Sequence, residues 1–132
     1  MSDTTTPFAN LQGHQFMNLF TYKRSGEAVK TPVWFAQEGD TLYVYANATS
    51  GKIKRIRNNG RVDLGPCDQT GKPLGPTVPA HARIIDGDAA AHADRLLSKK
   101  YGFMKAAISF ANRVRGLKPG YVAIAPAPDA AS

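Results

Sequence analysis

The chain has 132 residues, enough for one domain with a core of modest size. Its 17 Lys and Arg against 10 Asp and Glu leave a net charge of +7, which points to an anionic partner: nucleic acid, a membrane surface, or a phosphorylated or carboxylated small molecule. A single cysteine, Cys67, excludes an intramolecular disulfide and a cysteine-based zinc site, and no apolar run approaches the roughly 20 residues of a spanning helix.

Met1 to Pro7 is polar and Thr-rich, without the positive flank and apolar run of a signal peptide. With reduced-cysteine usage, this reads as a soluble, cytoplasmic protein. Residues 1–13 read as a flexible N-terminal lead and 127–132 as a flexible tail, leaving one domain over 14–126. "HQFMNLFTY" (14–22) reads as a buried strand, and "KRSGE" (23–27) as a turn around Gly26. "AVKTPVWFA" (28–36) reads as a second strand, with Pro32 placing it at an edge or bulge because proline donates nothing to a ladder. After the turn "QEGD" (37–40), "TLYVYA" (41–46) alternates Leu42, Val44 and Ala46 against Tyr43 and Tyr45, a third strand. Three strands on short turns predict an antiparallel meander.

From Ser50 to Asn59 the period changes: Ile53 and Ile56 share one helical face, Thr49 or Ser50 is the N-cap, and Asn59-Gly60 is the stop. "RVDLGP" (61–66) returns to strand, "CDQTGKPLG" (67–75) is a loop, and "TVPAHARIID" (77–86) is a strand. "GDAAAHADRLLSKKYG" (87–102) reads as a helix capped by Asp88 with Leu96 and Leu97 inward. A further helical stretch falls within 103–115, and "GYVAIAP" (120–126) closes the chain as a strand. The sum is a mainly β, α+β chain: a six-stranded antiparallel barrel with two or three peripheral helices.

The stretch "ANATSGKIKRIRNNGRV" (46–62) carries Lys52, Lys54, Arg55, Arg57 and Arg61 and no acid. A helix starting there presents backbone N–H groups that have no intrahelical partner and carry partial positive charge. Gly51 admits a ligand close to the backbone, Thr49 and Ser50 add hydroxyls, and Lys52 adds a full charge. That is a phosphate-binding arrangement. The alternative is a solvated basic face, although cations at a helix N-terminus are mildly unfavourable unless an anion offsets them.

Three segments in order, "TPVWF" (31–35), "SGKIKRIRNN" (50–59) and "GPCDQTGKPLGPTVPAHARII" (65–85), with "LLSKKYGF" (96–103), make the chain resemble the split β-barrel flavin and deazaflavin oxidoreductases. That superfamily includes pyridoxamine 5′-phosphate oxidase, and the nearest likeness is to its F420-dependent branch. The resemblance spans about residues 14–126 and implies a Greek-key split barrel. It implies that Lys30, Thr31, Pro32, Val33 and Trp34 run along the cofactor ring and that Ala46 and Asn47 lie by its side chain. It also implies that Ser50, Gly51 and Lys52 bind its phosphate, and that Arg55 and Arg57, with Lys54, reach the phosphate or an acidic tail. A homodimer with the cofactor in the inter-subunit groove follows from the same likeness. The oxidase branch has Ser-Arg-Lys where this chain has Ser50-Gly51-Lys52. The roomier opening suits F420, whose polyanionic tail matches the excess basicity; FMN is the alternative cofactor.

The expected activity is hydride transfer between F420 and an unsaturated small-molecule acceptor. The alternatives are an FMN-dependent oxidoreductase and a non-catalytic F420 carrier. No catalytic side chain is assigned, because in hydride transfer the cofactor carries the chemistry while the protein binds and orients. His14, His81 and His92 show no metal-ligand spacing, so no metal is expected. Cys67 reads as a small buried residue. Trp34 reads equally as core or as a wall of the ring pocket, and Tyr43, Tyr45 and Tyr121 as strand packing with a minor chance of lining the substrate pocket. Lys99, Lys100, Lys105, Arg113, Arg115 and Lys118 read as a solvated face or as a rim of the anion groove. Nucleic acid is disfavoured as a partner because the aromatics lie inside strands, away from the basic stretch where a stacking platform would need them.

Overall fold

The computed structural model describes residues 8–127; the expected tail beyond its first residue and the start of the expected lead lie outside that range. Seven strands form one antiparallel sheet: β1 (Phe16–Tyr22), β2 (Ala28–Val33), β3 (Phe35–Glu38), β4 (Thr41–Asn47), β5 (Arg61–Cys67), β6 (Val78–Ile85) and β7 (Pro119–Pro126). Three helices accompany them, α1 (Gly51–Asn58), α2 (Gly87–Tyr101) and α3 (Phe103–Val114). The strand order is β2-β1-β5-β6-β7-β4-β3.

This order corrects two expectations. The segment 28–36 is two strands, so the sheet has seven strands and hydrogen bonding does not close it into a six-stranded barrel. There is also no three-stranded meander, because β4 pairs with β3 and β7 and not with β2. The cause of both is a corner at Trp34. β2 and β3 are the opposite edges of the sheet, yet only Trp34 separates them in the chain, so the sheet curls until its two edges meet there. Pro32 sits in edge strand β2 opposite Asn18, where its missing N–H costs no ladder bond.

The last residues of α2 secure the corner. Phe35 N–H donates to the Tyr101 hydroxyl at 2.9 Å, and the Phe35 carbonyl accepts from Lys100 Nζ at 2.8 Å. The Tyr101 proton lies within reach of the Gln15 carbonyl at 2.7 Å and of the Phe35 carbonyl at 2.9 Å. The rings of Trp34 and Tyr101 stack at 4.5 Å with planes 8° apart. The backbone groups freed by leaving one strand ladder for another are thus satisfied by side chains from α2.

Alternation along the strands divides the sheet. Met17, Leu19, Leu42, Val44, Val62, Leu64, Val122 and Ile124 fill the inner face with Phe35. Ile53 and Ile56, three apart on α1, plug into the same core, as their spacing predicts. Phe8 and Leu11, within the expected lead, are also buried there around a short 3₁₀ turn, Ala9–Leu11. On the outer face α2 covers β3, β4 and β7 through Ala93, Leu97 and Tyr101. The cap of α2 is Asp86, not Asp88: Asp86 has the extended backbone of an N-cap, φ −146° and ψ −174°. Asp88 lies in the first turn, where its charge complements the helix dipole. Leu97 is buried and Leu96 partly buried, both against this layer. Among the described residues no helix is long and apolar enough to cross a membrane.

Candidate functional site

The corner at Trp34 and the start of α1 face the same hollow. A cavity of about 280 Å³ is lined by Pro32, Val33 and Trp34 from the β2–β3 corner, Lys52 from α1, Phe16 from β1, Tyr45 from β4, Gln69 from the loop after β5, and Ile108 from α3. Residues more than 90 positions apart, Phe16 and Ile108, meet here because the curled sheet brings its two ends together and α3 docks beside them.

Local sequence builds the cationic side. Asn47 ends β4 and its Oδ1 accepts from Thr49 N–H and from the Thr49 hydroxyl, both at 3.0 Å, an Asx turn that reverses the chain into α1. Ser50 is the N-cap by backbone, φ −69° and ψ 160°, but its side chain makes no capping bond. Its Oγ is shielded from solvent and has no partner among the described residues. Such a group costs about 1–3 kcal/mol until something bonds it. No acidic residue stands in the first turn of α1. Lys52 is half-buried, and its amine is pulled below the ordinary lysine range first by burial and then by the Arg55 charge. Arg55 folds back along the helix: its Nε donates to Thr21 Oγ1 at 2.6 Å, and its Nη1 lies 2.8 Å from where a Cβ on Gly51 would stand. Gly51 therefore leaves room for the Arg55 guanidinium to lie against the start of the helix.

The structure distributes the other expected residues as follows. Thr31 is half-buried on β2 opposite Leu19, and Lys30 is exposed with its Nζ 3.4 Å from the Gly71 carbonyl. Neither lines the cavity. Ala46 points to the opposite face of β4 from Tyr45 and is buried in the core. Asn47 shapes the turn. Lys54 and Arg57 are exposed on α1, away from the cavity wall. Cys67 is buried, and burial, then Asp68, pushes its thiol up. Trp34, readable from sequence as core or wall, is both: it packs on Leu97 and Tyr101 and lines the cavity.

Phe16, Gln69 and Ile108 were not among the expected site residues, and Tyr45 was read first as strand packing and only second as a pocket residue. The Tyr45 signal was present in the β4 alternation, which puts Tyr43 and Tyr45 together on the face away from the core. Ile108 carries no comparable local signal, because only the docking of α3 brings it to the hollow. α3 is amphipathic, yet its one buried residue is Lys105. Phe103, Phe110 and Val114 are exposed at 86%, 65% and 69%.

What could this hollow hold? It offers a cation at a helix start with no carboxylate against it, an orphaned hydroxyl beside that start, and an aromatic wall. Those features fit a planar ring bearing a phosphate.

The sequence profile of the family described as pyridoxamine 5′-phosphate oxidase matches residues 7–125. Among solved structures the fold is shared with the haem storage protein HutZ from Vibrio cholerae, at TM-score 0.68 and 14% identity over 88% of this chain and 84% of that one. It is shared with a FAD-binding protein from Mesorhizobium loti, at TM-score 0.60 and 17% identity over 89% and 82%. An F420-H2 dependent reductase, FDR-A, aligns at TM-score 0.60 and 14% identity over 83% and 93%. At these identities the likeness is one of fold. No curated protein matches the chain.

Proposed function

The chain belongs to the pyridoxamine 5′-phosphate oxidase family, and from that premise we propose that it is an F420-dependent oxidoreductase. When bound, the deazaflavin supplies or accepts the hydride exchanged with an unsaturated small-molecule acceptor. The observation that carries the reading is Lys52: a half-buried cation at the start of α1, unopposed by any acid in that turn, lining a cavity whose far wall is Trp34.

Each residue has a task in this reading. Lys52, the free N–H groups of α1 and the Ser50 hydroxyl hold the cofactor phosphate. Gly51 and Arg55 shape its approach, and Lys54 and Arg57 attract the acidic tail by their field, without contact in the cavity. Pro32, Val33 and Trp34 flank the ring and exclude water from one side. Thr31 and Lys30 hold the edge strand that carries them. Ala46 and Asn47 set the turn from which α1 starts.

A homodimer completes the site. At about 280 Å³ the cavity falls just under the ~300–1,000 Å³ of small-molecule sites. The exposed side chains of Phe103, Phe110 and Val114 share one face of α3, which a second copy would bury.

Membership of the pyridoxamine 5′-phosphate oxidase family keeps FMN as the rival cofactor. A fluorescence titration of the purified protein with F420, with FMN in parallel and repeated on Lys52→Ala, separates them. The expected result is tighter binding of F420 than of FMN, weakened about 10- to 100-fold by the substitution, as suits loss of a charge-assisted bond. Tighter FMN binding refutes the deazaflavin assignment, and binding of neither refutes the cofactor reading altogether. Bound F420 whose reduced form no acceptor consumes would leave a carrier.

A further inference from the structure

Tyr45, Asn112 and Lys105 have no part in the reading above, yet they meet at one wall of the cavity. Tyr45 lies on the outer face of β4 and lines the cavity with Trp34 and Ile108. Its hydroxyl oxygen accepts the Asn112 Nδ2–H bond at 2.8 Å. A phenol bonded through its oxygen still has its own proton to give, and no acceptor takes that proton among the described residues.

The ring is held from behind. Lys105, 3% exposed, has its Nζ 4.4 Å from the Tyr45 ring centroid. The same Nζ donates to Asp94 Oδ1 and Ser109 Oγ, both at 2.7 Å, and so it cannot swing away cheaply. Tyr121 donates to the same Asp94 oxygen at 2.6 Å and its ring lies 5.4 Å from that of Tyr45. The Tyr45 side chain is therefore fixed before any ligand arrives, which lowers the entropy cost of a bond made by its hydroxyl. Around it the wall is apolar and partly aromatic: Trp34, Phe16 and Ile108. Lys52, the cation of the cavity, is engaged by the cofactor phosphate. That leaves a fixed proton donor beside an apolar surface, on the wall that β4 and α3 contribute to the cavity.

We propose that Tyr45 orients the acceptor, its hydroxyl donating a hydrogen bond to an oxygen of a flat conjugated carbonyl compound seated against Ile108. α3 is then part of the site, since Asn112 and Lys105 set where that hydroxyl stands. This assignment rests on the cofactor reading above. The test uses protein loaded with oxidised F420, so that nothing turns over. Menadione, a quinone, and 2-methylnaphthalene, which has the same carbon frame without the oxygens, are titrated by calorimetry into wild type, Tyr45→Phe and Asn112→Leu. Tyr45→Phe is expected to weaken menadione about tenfold, as for one lost hydrogen bond, and to leave 2-methylnaphthalene and F420 unchanged. Asn112→Leu is expected to weaken menadione selectively but less, because the hydroxyl is freed and not removed. The proposal is overturned if Tyr45→Phe leaves menadione unaffected, if it weakens both probes equally, or if the loaded wild type binds no menadione. Normal F420 binding with an unselective Tyr45→Phe refutes this assignment alone, whereas failure of wild type to bind F420 refutes the cofactor reading and this assignment with it.

Discussion

Tyr101→Phe removes one oxygen atom and leaves the ring free to stay stacked on Trp34. The oxygen lost is the acceptor of Phe35 N–H at 2.9 Å and the donor to the Gln15 carbonyl at 2.7 Å. The Phe35 carbonyl keeps its bond from Lys100. The variant therefore orphans one buried donor and weakens one partly buried acceptor at the corner that joins the two sheet edges. An unsatisfied buried group costs about 1–3 kcal/mol, so the loss is about 2–3 kcal/mol. At about 2.1 cal/mol/K per residue, a chain of 132 residues unfolds with an entropy of about 0.28 kcal/mol/K, and Tm should fall by about 7–11 °C. Scanning calorimetry at pH 7 measures this directly. There is a second signature at high pH. Burial, against a smaller opposing contribution from the Phe35 backbone bond, pushes the Tyr101 hydroxyl up from 10.0 to about 12. Between those values the unfolded chain gives up the proton and the folded chain keeps it, so wild-type stability falls as pH rises from 10 to 12. The variant lacks that titration, and the Tm gap should narrow above pH 10. A Tm loss under about 3 °C at pH 7, or a gap that stays constant to pH 12, would refute the view that this hydroxyl secures the corner.

Gly60→Ala should destabilise by about 1–3 kcal/mol, since the added Cβ would stand 2.7 Å from the Ala82 carbonyl and 2.7 Å from the His81 ring; an unchanged denaturant midpoint contradicts it. Gly51→Ala meets only the flexible end of Arg55, so its midpoint should move little. Displacing Arg55 from Thr21 should nonetheless weaken F420 binding several-fold in the same titration used for Lys52→Ala. Burial raises the Asp94 carboxyl, but the bonds from Lys105 and Tyr121 outweigh it and hold the group below the ordinary carboxylate range. Its contribution is complete above about pH 3.9 and disappears as pH falls through the lower folded value. Hydrogen exchange in α3 should consequently rise below pH 4, ahead of exchange in β1 and β5; simultaneous loss of protection in all three would argue against a separate anchor for α3.

Elements were readable wherever the pattern is local. Leu42, Val44 and Ala46 point inward because a strand has a period of two, and Ile53 and Ile56 share a face because a helix has a period near 3.6. Pro32 announced an edge because it has no N–H to give. The start of α1, with its unopposed cation, was legible in the same way, since turn residues, small residues and charges lie within six positions of each other, Asn47 to Lys52. The reading of 28–36 as one strand failed at Trp34, where the local pattern continues but the pairing partner changes from β1 to β4. The phenol that satisfies Phe35 there comes from 66 residues away.

What the sequence by itself determined is most of the elements, the inner faces of β4 and α1, the family likeness, and a helix that begins with unneutralised positive charge. The tertiary structure alone decided which strands are neighbours, that the sheet edges meet at Trp34, and that Tyr45 and Ile108 share a cavity with Lys52. The division is physical. Periodicity and capping are set by residues within a turn or two of each other, whereas strand order and cavity walls arise from contacts between distant segments. Those contacts are chosen by the joint packing of a core to which no single segment holds the pattern.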